Sequence, residues 1–163
     1  LSPVGGYPGN DDDGRELQRN LDPDELDQDM INSARYLKDH ELSNGNLGAT
    51  GFCWGGGMTN RLAVVLGSDL QAGVPFYGAA VPSSAVSSIS AAMMVNMADT
   101  DPRINAMWPD YEAALAANGV NYRGHIYEGT LHGFHNNSTP RYNKPAADLA
   151  WNRTIGFFRE HLT

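Results

Sequence analysis

The chain has 163 residues, 41% of them hydrophobic and 18% charged, with a formal net charge of −8. That length buries one substantial core, and the balance excludes a chain disordered over most of its length. The acidity excludes nucleic acid and an anionic membrane surface as main partners, and no apolar run approaches the roughly 20 residues of a membrane span.

The opening Leu1–Gly9 is rich in Pro and Gly, reads as a loop, and carries neither an initiator methionine nor a signal-peptide pattern. An acidic cluster, Asp11–Asp13, follows it. A helix then starts at Asp22, with Pro23 in its first turn and Glu25 placed as in a capping box. Leu26, Met30, Ala34 and Leu37 recur at helical spacing to about His40. Asn44–Phe52 reads as a turn and a short buried strand. A glycine turn comes next, then a helix from about Gly56 to Leu66. Ala72–Gly78 and Ala91–Met97 read as buried strands, with the Ser-rich patch Pro82–Ser90 between them. A helix over Trp108–Asn118 ends at Gly119, a strand follows over Val120–Glu128, and a last helix runs from Pro145 to His161.

Strands that alternate with helices and are apolar on both faces indicate an α/β fold with a mostly parallel sheet, in one domain. Ligands of such sheets bind at the carboxyl ends of the strands. The loops after Phe52, Tyr77, Met97 and Glu128 therefore become the places to look for chemistry.

The first of these loops holds Cys53, the one cysteine of the chain. A single thiol excludes an internal disulfide framework and fits a reducing cytosol, so a cytoplasmic location is expected. Thr50-Gly51-x-x-x-Gly55-x-Gly57 admits a dinucleotide-binding reading. A whole helix precedes it, however, and no tyrosine has a lysine four residues on, as a short-chain dehydrogenase requires. Gly51-x-Cys53-x-Gly55 is instead a nucleophile elbow with cysteine in the place of serine. Bare flanking positions let the backbones pass, and the Trp54 amide stands beside the sulfur as an oxyanion donor. The helix N-terminus favours thiolate. A cysteine that was only a small buried hydrophobe would leave both glycines unexplained.

An elbow nucleophile needs a base and an acid, in the chain order nucleophile, acid, histidine. Asp99 and Asp101 leave the strand over Ala91–Met97, and His132 follows the strand over Val120–Glu128. All lie at strand carboxyl ends in that order. His132 and His135 flank Gly133-Phe134 without a further ligand pattern, so no metal site is expected.

With "GFCWGGG", "VPFYG", "RINA", "YEAAL" and "YEGTLHGFHN" in hand, the chain resembles the dienelactone hydrolase family over essentially its whole length. The resemblance implies an α/β-hydrolase fold and a Cys-Asp-His triad, with Cys53 as nucleophile, Asp101 as acid, Asp99 in reserve and His132 as base. Trp54 and Phe134 are expected to line the site. No cofactor is implied. The substrate would be a small ester or lactone, cleaved through a thioester. Dienelactone itself is not expected, because Asn136 stands where the founding enzymes place an arginine for the substrate carboxylate.

The resemblance also implies that family members carry further N-terminal sequence, including the second oxyanion donor. That leaves a non-catalytic remnant as the alternative reading, with a thiol redox sensor as a third. A chain starting at Leu1 would expose Leu47, Ala49 and Phe52 along an open strand edge. It is then expected to aggregate or to form a homodimer.

Overall fold

A computed structural model describes residue 6 and residues 8–163, and most of the loop expected at the start lies outside them. The elements run α1 (Asp11–Arg19), α2 (Pro23–Asp39), β1 (Gly48–Phe52), α3 (Trp54–Leu66), β2 (Ala72–Phe76), β3 (Ala92–Thr100), α4 (Pro102–Asn105), α5 (Trp108–Ala117), β4 (Tyr122–Leu131) and α6 (Lys144–His161). The Ser-rich patch winds into a 3-10 turn over Ser83–Ser88.

The acidic cluster is the first turn of α1. Asn10 caps it by accepting the Asp13 N–H at 2.9 Å, and three carboxylates beside the N-terminus favour the helix dipole. In α2, Asp22 accepts the Asp24 N–H at 2.9 Å, and Pro23 occupies the first turn, where its missing N–H costs nothing.

Among the described residues four strands form one sheet, all parallel, in the order β1-β2-β3-β4. One face of the sheet packs Leu62, Leu66, Met93, Met97 and Leu115 beneath α2, α3 and α5. The other packs Val74, Phe76, Met94, Ala150 and Phe157 beneath α6. β2 is buried along its whole length, as a strand covered on both faces must be. Each large side chain so buried contributes about 1.5–3 kcal/mol. The guanidinium of Arg123 on β4 donates to both carboxylate oxygens of Glu160 on α6, at 2.7 and 2.9 Å, and ties that helix across the sheet.

β1 forms one edge of the sheet among the described residues. The exposure expected along it holds for Phe52, which is 38% exposed, but not for Leu47, which is 5% exposed in the core with Met30 and Ala34 of α2 packed against that core. Ala49 is half-buried. Among the described residues no helix is long and apolar enough to cross a membrane.

Strand registry sets the geometry at the carboxyl edge. Phe52 pairs with Phe76, Phe76 with Asn96, and Thr100 with Leu131. The loops that begin at Cys53, Tyr77, Asp101 and His132 therefore emerge side by side.

Candidate active site

The turn from β1 into α3 is strained at Cys53, whose φ is 54° and ψ −113°. A non-glycine residue with positive φ persists only where its surroundings over-determine it. Here the Cys53 N–H donates to the Phe76 carbonyl and the Cys53 carbonyl accepts the Gly57 N–H, both at 3.1 Å. The glycines divide the work unevenly. A Cβ on Gly51 would lie 2.2 Å from the Gly55 carbonyl oxygen, and one on Gly56 would lie 2.5 Å from the Phe76 oxygen. A Cβ on Gly55 would meet nothing within 4 Å. The backbones thus cross at Gly51 and Gly56, and among the described residues the bareness expected of Gly55 has no steric cause. The N–H groups of the first turn of α3, Trp54's included, have no helical acceptor, and among the described residues no side chain caps them.

Asp101 and His132 meet at the ends of β3 and β4. His132 Nδ1 lies 2.5 Å from Asp101 Oδ2, and its Nε2 lies 3.1 Å from Cys53 Sγ. Asp101 is 6% exposed, and its other oxygen accepts the Ile104 N–H at 3.4 Å, capping α4. Asp99 turns elsewhere and accepts the Gly129 N–H at 3.1 Å. Tyr77, itself at φ 38°, lays its ring 5.0 Å from that of His132.

The electrostatics at the sulfur are mixed. Cys53 is reachable by solvent, yet the packed turn withdraws enough water to push its thiol up from the ordinary value. Arg141 and Arg103 pull it down and Asp101 pushes it up, and burial prevails. Burial thus opposes the thiolate expected from the helix N-terminus. Burial also pushes the Tyr77 hydroxyl up, so it stays protonated.

Among the described residues Cys53 borders two clefts. One, of about 320 Å³, is lined by Phe52, Tyr77, Gly133, His135, Asn136 and Arg141 among others. The other, of about 440 Å³, is lined by Trp54, Met58, Arg61, Val81 and Arg103 among others. Trp54 is thus at the site. Phe134, expected to line it, is fully buried instead, packed between Tyr77 and Tyr127 at ring distances of 5.4 and 5.1 Å. The left-handed Gly133 before it turns the chain, so that Phe134 faces the core and His135 faces the cleft. Arg103, Arg141 and His135 were not singled out from the sequence as lining residues, since only the folded loops bring them to Cys53. Among the described residues no group of three His, Cys, Asp or Glu side chains is placed to hold a metal ion.

Comparison with known proteins places this geometry in context. The model of the dienelactone hydrolase family matches residues 6–162. A Saccharolobus solfataricus protein provisionally named a carboxymethylenebutenolidase is 31% identical over 144 residues, which are 88% of this chain and 54% of that protein. A Bradyrhizobium protein named "Probable 2-oxo-3-(5-oxofuran-2-ylidene)propanoate lactonase" is 29% identical over 155 residues, 87% of this chain and 62% of its own. The chain thus spans a little over half the length of these two relatives. Among solved structures, dienelactone hydrolase from Anabaena variabilis superimposes with a TM-score of 0.69 at 20% identity, covering 90% of this chain and 65% of that one. A dienelactone hydrolase-like promiscuous phosphotriesterase from metagenomic libraries gives 0.76 at 20% identity, covering 87% and 64%. The fold is that of an α/β-hydrolase, with a parallel sheet flanked by helices, and the chain belongs to the dienelactone hydrolase family.

Proposed function

We propose that this protein hydrolyses small carboxylic esters or lactones through a thioester on Cys53, with His132 as base and Asp101 as the acid that orients it. One observation carries the reading: the His132 ring bridges Asp101 and Cys53, with 2.5 Å on one side and 3.1 Å on the other. Those distances suit a proton relay from sulfur to imidazole, with the carboxylate fixing the tautomer in which Nδ1 holds the proton.

The steps follow from the resting thiol. His132 Nε2 removes the Cys53 proton as sulfur bonds to the substrate carbonyl carbon, and the carbonyl π electrons move onto oxygen. The Trp54 N–H donates to that oxyanion. The tetrahedral intermediate collapses, the C–O bond to the leaving alcohol breaks, and the proton on His132 passes to the departing oxygen. Water then gives a proton to His132 as its oxygen attacks the thioester. The C–S bond breaks, and the proton returns to sulfur as the acid departs.

A redox role fits less well, because burial keeps the thiol above its ordinary value and the chain holds no second cysteine to resolve a sulfenic acid. The test is turnover of 4-nitrophenyl acetate by the wild type and by Cys53→Ala, with intact mass read during turnover. Loss of turnover in the variant and an acyl adduct confined to the wild type are expected. A Cys53→Ala protein with near-wild-type rate refutes the assignment.

A further inference from the structure

The cleft of about 320 Å³ at Cys53 does not end at His135. Phe52 and His135 also line a neighbouring cleft of about 310 Å³, whose other walls are Tyr142, Ala147, Asp148 and Trp151. Two clefts that share those walls form one trough, which begins at the nucleophile and runs out over the first half of α6.

The trough is walled with rings. Tyr77 stands at its inner end, 5.0 Å from the ring of His132. Phe52 and Trp151 both pack on the ring of His135, at 5.0 and 5.8 Å. Phe52, Tyr142 and Trp151 are each more than a third exposed. One exposed ring is ordinary on a protein surface, but three that border a cleft continuous with a reactive cysteine are placed for a ligand. Such rings favour a further ring over a saturated group of the same size, because the edge of one quadrupole attracts the face of another. Among the described residues the outer cleft has one carboxylate, Asp148, which accepts a hydrogen bond from Lys144 Nζ at 2.5 Å. A neutral group therefore fits there better than an anion.

The proton relay says which part of a substrate enters the trough. His132 passes its proton to the leaving oxygen, so the alcohol departs on the His132 side of the sulfur. The loop after His132 lines the trough through Gly133, His135 and Asn136. Trp54, whose N–H faces the oxyanion, borders the other cleft.

We propose that the trough is the leaving-group subsite and that it selects esters of aromatic alcohols, with Trp151 and Phe52 as the specificity-determining residues. The proposal rests on the ester-hydrolysis reading, so its test reads binding apart from turnover. The Cys53→Ala protein, which cannot form the thioester, is titrated by NMR with benzyl acetate and with cyclohexylmethyl acetate. The two esters differ only in whether the ring is aromatic.

Benzyl acetate is expected to bind at least about fivefold tighter, the scale of one good ring–ring contact. Adding Trp151→Leu or Phe52→Leu should each lower that ratio to less than about twofold, and Trp151→Phe should keep part of it. Tyr36→Leu, which removes an exposed ring of α2 outside both clefts, should leave the ratio intact. Circular dichroism confirms that each variant is folded. In the wild type kcat/KM should show the same preference, whereas methyl phenylacetate and methyl cyclohexylacetate, with the ring on the acyl side, should not differ in that way. Equal affinities, no measurable binding of either acetate, a preference that survives both leucine variants or is lost with Tyr36→Leu, or an equal aromatic preference on the acyl side would each overturn the proposal. If the wild type turns over no ester at all, the hydrolytic reading fails, while the binding comparison still decides whether the trough selects aromatic rings.

Discussion

Asp101 Oδ2 stands 2.5 Å from His132 Nδ1, while Asp99, two residues earlier on the same strand end, accepts the Gly129 backbone N–H at 3.1 Å. The two carboxylates leave β3 on different errands. Asp101 addresses the imidazole, and Asp99 fastens the turn in β4 that carries His132.

This division predicts unequal costs. Asp101→Asn retains an oxygen for the α4 cap but removes the charge that holds the imidazole tautomer. Ester turnover is expected to fall by about 10³–10⁴-fold, the size of effect seen when a triad carboxylate is neutralised. Asp99→Asn keeps an acceptor for Gly129 and should cost less than about tenfold. Turnover of 4-nitrophenyl acetate by both variants checks this, and a larger loss in Asp99→Asn would exchange their roles.

The glycines of the elbow give a second contrast, this time in stability. Gly51→Ala would drive a Cβ to 2.2 Å from the Gly55 carbonyl oxygen, a backbone atom that cannot turn aside. The clash falls where Cys53 is already strained at φ 54°, so β1 or α3 must shift. Gly55→Ala meets open space in the first turn of α3, where alanine is the better helix former by up to about 1 kcal/mol. Thermal unfolding should show Gly51→Ala well below the wild type and Gly55→Ala at or slightly above it. Equal melting temperatures would mean that the close crossing is not a constraint.

Much of this arrangement was legible before folding, and the parts that were not share a cause. The order of Cys53, Asp101 and His132 follows from strand ends, and strand ends follow from apolar runs interrupted by turn residues. The choice between Asp99 and Asp101 could not come from that pattern, because it depends on the irregular register between β3 and β4 that sets Thr100 against Leu131. α1 was missed because Asp-Asp-Asp-Gly reads as a loop until Asn10 is seen capping it. Phe134 was misplaced for a similar reason. One left-handed glycine decides whether it or His135 faces the cleft, and no periodicity reports that.

His135 supplies the last prediction. Among the described residues its Nε2 is buried without a hydrogen-bond partner, and its ring sits among Phe52, Phe76 and Trp151 at 5.0, 5.4 and 5.8 Å. Burial holds its pKa below the ordinary 6.5, with Asp148 opposing only in part. The unfolded chain therefore takes up this proton first as pH falls. Stability is full above the unfolded value and declines as pH drops from about 6.5 towards the lower folded value. His135→Phe removes both the titration and the orphaned nitrogen while keeping a ring in an aromatic setting. Urea midpoints measured from about pH 5 to about pH 8 should show the variant losing less stability on the acid side than the wild type. His125, whose pKa burial also lowers, remains in both proteins, so the difference between the two curves isolates His135. Parallel curves across that range would show that its protonation is not coupled to folding.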